Sequence, residues 1–161
     1  MSLFRKRELP AEASPLLPGA AACFTTSAMT RRAADWLKGL GGCRPIAILS
    51  DDFDDVVWQC ERERADLLLL ETDFSPEAED TKDVSARCDI AIEIKRRHPD
   101  CRVYLLCEEG HPEKLPALEK AVELALIDGY SIGAVTAQQA RAWLAETAET
   151  MRKNRQRNPK T

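Results

Sequence analysis

The stretch from Asp66 to Thr72 reads DLLLLET, four leucines closed by a carboxylate. A continuously apolar run of that length has the character of a strand covered on both faces. The carboxyl end of a parallel strand is where α/β proteins commonly house their chemistry. Glu71 is therefore the first candidate for a working group, and Asp73, two residues on, is a second carboxylate in the same neighbourhood. Asp51 and Asp52 form an adjacent acidic pair of the kind that supplies oxygen ligands to a hard cation. Cys107 closes another apolar segment, RVYLLC. A thiol there needs a nearby positive group to become reactive, and Glu108 and Glu109 follow it directly, so a structural role is expected. His98 and His111 each precede a proline in a polar stretch and read as surface turn residues.

The elements around these groups alternate. Ala20–Thr26 is a short apolar run ending in small polar residues, the pattern of a first strand. Thr30–Leu40 carries Ala33, Ala34, Leu37 and Leu40 at helical spacing, with Thr30 as cap and Gly41-Gly42 as stop. Pro45–Ser50 is a second strand. Asp52–Arg64 is a helix capped by Asp52, with acidic residues in its first turn and Val56, Val57 and Cys60 along one side. In this register helix capping accounts for Asp52 better than metal binding does. Were PIAILSDD the first strand instead, Asp51 and Asp52 would be a cation pair. Asp66–Glu71 is the third strand, and residues 72–81 form a long acidic loop. Asp83–Arg97 is a helix with Ala86, Ile90, Ala91 and Ile94 inward. Arg102–Cys107 is the fourth strand. Pro116–Leu126 is a fourth helix burying Leu118, Val122 and Leu126. Gly129–Ile132 is a short fifth strand. Thr136 to about Asn154 is a last helix packed through Ala140, Trp143 and Leu144.

Five strands, each followed by a helix, require right-handed crossovers and a parallel sheet covered on both faces. The chain divides into a flexible N-terminal arm (1–19), one α/β domain (20–150) and a basic C-terminal tail (151–161). The 161 residues are 44% hydrophobic and 31% charged, ordinary for a soluble domain. A net charge of −4 argues against a general nucleic-acid surface. No apolar run approaches the roughly 20 residues that span a bilayer. The six cysteines include no C-x-x-C pair and sit mostly in apolar segments, which points to buried thiols in a reducing, cytoplasmic compartment and to no metal site. The loops carry no P-loop and no G-x-G-x-x-G, so a nucleotide-binding domain and a bound cofactor are not expected.

From Ala20 to about Thr150 the pattern resembles the receiver domain of bacterial response regulators. ADLLLLE is similar to that family's third strand, and DGYSIGAVTA (128–137) to its fifth strand and the turn into its last helix. The resemblance implies a three-layer α/β/α sandwich with a flavodoxin-like five-stranded parallel sheet in the order 2-1-3-4-5. It also implies where the chemistry would lie. The metal-holding acidic positions after the first strand fall on Thr25, Thr26 and Ser27. The phospho-accepting aspartate falls on Glu71, the hydroxyl residue ending the fourth strand on Cys107, and the lysine after the fifth strand on Gly133. Only the aromatic on the fifth strand is retained, as Tyr130. One glutamate among hydroxyls is a poor Mg²⁺ site, and phosphoryl transfer depends on charge neutralisation.

The expectation is therefore a non-enzymatic, degenerate receiver of two-component signalling, in which Glu71 is a fixed charge or a relic. The alternative is a phospho-accepting domain with Mg²⁺ and a displaced acceptor at Asp73 or Asp51. With no second domain in these residues, output is expected to run through a protein partner. A homodimer would use the fourth helix, fifth strand and fifth helix, where Leu115, Leu118, Tyr130 and Trp143 lie. Nucleic acid and membrane are not expected partners, and the basic tail reads as a solvated terminus.

Overall fold

The structure, a computed structural model, describes residues 18–23, 35, 37–39, 41–48, 50, 52–72 and 82–157. Strands β1 (Gly19–Cys23), β2 (Arg44–Ile48), β3 (Leu67–Glu71), β4 (Arg102–Cys107) and β5 (Gly129–Ile132) form one sheet in the order β2-β1-β3-β4-β5. Every pair is parallel. Between them run helices α1 (Phe53–Glu63), α2 (Lys82–Arg97), α3 (Leu115–Glu123, entered through a 3₁₀ turn at Pro112–Lys114) and α4 (Ala137–Arg157). Asp35 and Leu37–Gly39 are also helical, within the expected Thr30–Leu40 segment.

The two-residue period of the strands sorts their side chains into two cores. Leu68, Leu70, Val103 and Leu105 meet α1, α2 and α3 through Val56, Ile90, Ala91 and Leu118. Leu67, Leu69, Tyr104 and Leu106 face the other way, against Leu37 and, on α4, Ala140, Trp143 and Leu144. All five residues of β3 are buried, as its unbroken apolar run predicts. Pro45–Ile48 belong to β2, and Gly19–Cys23 precede them as β1, so the alternative register that would make PIAILSDD the first strand does not hold.

Local signals set the helix ends. Asp52 caps α1 by accepting from the Asp55 amide at 3.2 Å, with Asp54 and Asp55 in the first turn. Thr136 and Gln139 form a reciprocal capping box at the start of α4. The Gln139 amide donates to Thr136 Oγ1 at 3.0 Å, and the Thr136 amide to Gln139 Oε1 at 3.1 Å. Gly19 begins β1 because a Cβ there would lie 2.7 Å from both an Arg44 nitrogen and the Arg64 carbonyl.

Several boundaries differ from the sequence expectation. β1 opens at Gly19, which the sequence reading placed in the arm, and Arg44 N already bonds Pro18 O at 2.8 Å. The fourth helix stops at Glu123 because Ala125 turns left-handed (φ 59°) and Leu126 N returns to Ala121 O. Val122, expected inside, is exposed. α4 runs to Arg157, so Arg152, Lys153 and Arg155 stand on helix and not in a loose tail. Trp143, considered for a self-association surface, is buried. It stacks on Tyr104 with ring centroids 4.3 Å apart and planes 14° apart. Leu118 is likewise buried.

That stack ties α4 to the sheet. The Tyr104 hydroxyl donates to Glu146 Oε1 at 2.7 Å and accepts from Arg102 Nε at 3.0 Å. Trp143→Ala is expected to cost about 3–5 kcal/mol in urea unfolding, and Tyr104→Phe about 1 kcal/mol. Equal losses for the two would contradict the stack as the dominant tie.

Candidate functional site

The carboxyl edge of the sheet brings three of the sequence candidates side by side. Glu71 pairs in register with Leu106, and Cys107 with Ile132. Beyond the strand ends the ladder continues: Thr72 N bonds Leu106 O and Gly133 N bonds Cys107 O, both at 2.8 Å. Glu71 is thus level with Leu106 and Ser131, and Cys107 and Gly133 lie one and two residues further toward the same edge. Glu71 is 0% exposed, and Thr72 beside it is also fully buried.

A buried carboxylate needs compensation. One buried cation beside it is Arg87, which the sequence reading missed. It lies in the second turn of α2, is 1% exposed, and donates from Nε to the Glu71 carbonyl at 2.7 Å. Lys114, at the end of the 3₁₀ turn after β4, is also 1% exposed. Glu71, Arg87 and Lys114 all engage partners. The edge is therefore a layer of buried charges of both signs. Arg87 had a sequence signal: it shares the stripe of Ile90, Ala91 and Ile94, so a charged residue stood on the buried face of a helix. Ala86, read as inward, is only half-buried. Lys114 had no such signal, because a lysine in a polar loop ordinarily faces water.

Gly133 has φ +89°, where side chains other than glycine are strained. A Cβ there would stand 2.8 Å from Glu109 Oε1 and 3.1 Å from Glu109 Cγ. The position after the fifth strand therefore faces a carboxylate and carries no cation of its own. Cys107 is buried, with Sγ 3.6 Å from the Glu108 carbonyl, consistent with a structural thiol. Burial also raises the thiol pKa values of Cys43, Cys88 and Cys101, further from reactivity. Tyr130 is half-buried against the α1–α3 core. Burial and the nearby Glu119 hold its phenol pKa above the ordinary value. Thr25, Thr26, Ser27, Asp51 and Asp73 lie outside the described residues, as does the side chain of Cys23. Asp52 is spent as the α1 cap. Among the described residues no group of three or more His, Cys, Asp or Glu is placed to hold a metal ion.

At the opposite, amino edge the carboxylates are clamps. Asp66 accepts from Gly19 N at 2.9 Å and meets His98 Nε2 at 3.0 Å, so His98 is a partnered residue at an α2–β3 junction, not a bare turn. Asp128 Oδ2 accepts from Lys95 Nζ at 2.6 Å and from Val103 N at 2.8 Å, fixing the entry to β5 against β4 and α2.

No protein-family model and no curated protein sequence matches the chain. Similar solved structures do exist. The receiver domain of AraT, a response regulator from Geobacillus stearothermophilus, superposes with a TM-score of 0.63 at 12% identity, covering 87% of this chain and 99% of that one. A response regulator receiver domain protein from Clostridium thermocellum gives 0.59 at 15% identity, with 88% and 98% covered. A CheY-like protein, TadZ, from Pseudomonas aeruginosa gives 0.55 at 10% identity, with 83% and 94% covered. The parallel order β2-β1-β3-β4-β5, the two-sided core and these superpositions together mean that the chain has the fold of a response-regulator receiver domain.

Proposed function

We propose that this protein is a pseudo-receiver: a non-enzymatic signalling module that works by binding protein, without phosphorylation. The observation that carries this reading is the complete burial of Glu71 at the acceptor level of β3. A phospho-acceptor must be reached by a donor and must offer its oxygen in line. A glutamate whose side chain is sealed from solvent offers neither. The post-β5 position supports the same reading. The resemblance places a phosphate-neutralising lysine there, and this chain has a left-handed glycine under Glu109. A negative group facing the transferring phosphoryl would oppose the reaction.

The fold is that of receiver domains, and it supports a reading in which output runs through a protein surface. Our reading is a bacterial, cytoplasmic module of two-component signalling that pairs with a second copy of itself through α3, β5 and α4. No helix among the described residues is long and apolar enough to cross a membrane. With Leu118 and Trp143 buried, the apolar groups available on that side are Val122, Leu124 and Ile132, all exposed. Nucleic acid is not part of this reading, given the acidic net charge.

Intact mass after incubation with Mg²⁺ and a small-molecule phosphodonor tests the central claim. Folded wild-type protein is expected to gain no phosphoryl group. A single added group that Asp73→Ala loses would replace this reading with a displaced-acceptor receiver. Gly133→Lys is expected to lower stability by roughly 1–2 kcal/mol through its left-handed backbone and to confer no phosphorylation. Sedimentation at about tens of micromolar is expected to show a dimer that Ile132→Glu weakens. A monomer throughout would remove the self-association claim.

A further inference from the structure

The amino edge of the sheet, opposite Glu71, holds a cavity of about 310 Å³ between the ends of α1 and α2. Its volume is at the lower end of small-ligand pockets. Cys60, Ala65 and Ile94 give it apolar walls. Its charged lining is mostly committed. Arg97 Nη1 pairs with Glu61 Oε1 at 2.8 Å. Both Asp66 oxygens are used, one by His98 and one by Gly19 N. The carbonyls that end α1 are used too: Arg64 N bonds Glu61 O at 3.3 Å and Ala65 N bonds Cys60 O at 2.9 Å. The negative end of the helix is thereby closed.

One group in the lining is uncommitted. The Arg64 guanidinium makes no hydrogen bond or ion pair among the described residues. Arg64 also holds a backbone of φ 57°, ψ 58°, at the position after a helix where glycine is the unstrained choice. Arg64 and Ala125 are the two non-glycine residues with positive φ among the described residues. Placing a long cationic side chain on a left-handed backbone sets a free positive charge at the rim of an apolar-walled cavity.

We infer that this cavity is a binding site for a small organic anion: a carboxylate on a compact aromatic or branched apolar body, its head on Arg64 and its body against Cys60, Ala65 and Ile94. A cation is disfavoured because every carboxylate of the lining is already paired. The site lies at the other end of β3 from the carboxyl edge.

The probe pair is phenylacetate and its neutral isostere phenylacetamide, titrated into the ¹⁵N-labelled full chain. Phenylacetate is expected to give saturable amide shifts at Ala65, Asp66, Ile94 and His98, with a dissociation constant on the order of a millimolar. Its affinity should exceed that of the amide roughly three- to tenfold. Arg64→Gly is expected to melt no lower than wild type, because glycine suits the left-handed backbone, and to abolish the preference for the acid. Absence of saturable shifts up to about 20 mM, equal affinity for acid and amide, or an acid preference that survives in folded Arg64→Gly would each overturn the assignment.

Discussion

Everything in this fold hangs on the double burial of β3. Leu67 to Leu70 are at most 1% exposed, and they alternate between the two cores. Each face buries two of these leucine side chains, at about 2 kcal/mol apiece relative to exposure. A strand with no polar face cannot sit at an edge, so it must be flanked by β1 and β4 and covered by helices on both sides. The crossover geometry then leaves few arrangements, and the observed order keeps LLLL central. The amino end of the strand is pinned by Asp66, which holds Gly19 and His98. The carboxyl end delivers Glu71 into the same dry interior.

That delivery has a consequence for chemistry. A charge carried to the end of a fully buried strand must be matched locally, because the interior screens poorly. Two buried cations lie at the same end of the sheet, Arg87 on α2 and Lys114 in the turn before α3, and Arg87 bonds the Glu71 main-chain carbonyl. Such an arrangement favours one fixed set of contacts over exchange with solvent. The cavity at the opposite edge is the reverse case, with apolar walls, paired charges and one guanidinium left toward water.

Much of this was legible in the residues. LLLLE announced a central strand and a strand-end carboxylate, Asp52 announced its helix cap, and the alternation of elements announced the parallel sheet. These signals are local or periodic, and burial follows from them directly. Helix ends were less legible. Pro116–Leu126 carries apolar residues past its true end, and only the left-handed turn at Ala125 stops it at Glu123. Trp143 reads equally as an exposed contact or a core residue, and its stacking on Tyr104 is a meeting of two elements far apart in the chain.

By itself the sequence determined the fold class and the central strand. These depend on residue identity and on spacing along one segment. Tertiary structure alone decided that Glu71 is sealed, that Arg87 and Lys114 are buried with it, that Gly133 lies under Glu109, and that Arg64 faces a cavity. Each of those facts concerns where a long side chain goes when several elements converge. A lysine or arginine is written the same way in a sequence whether it ends in water or in the core, and only the packing around its stem decides which.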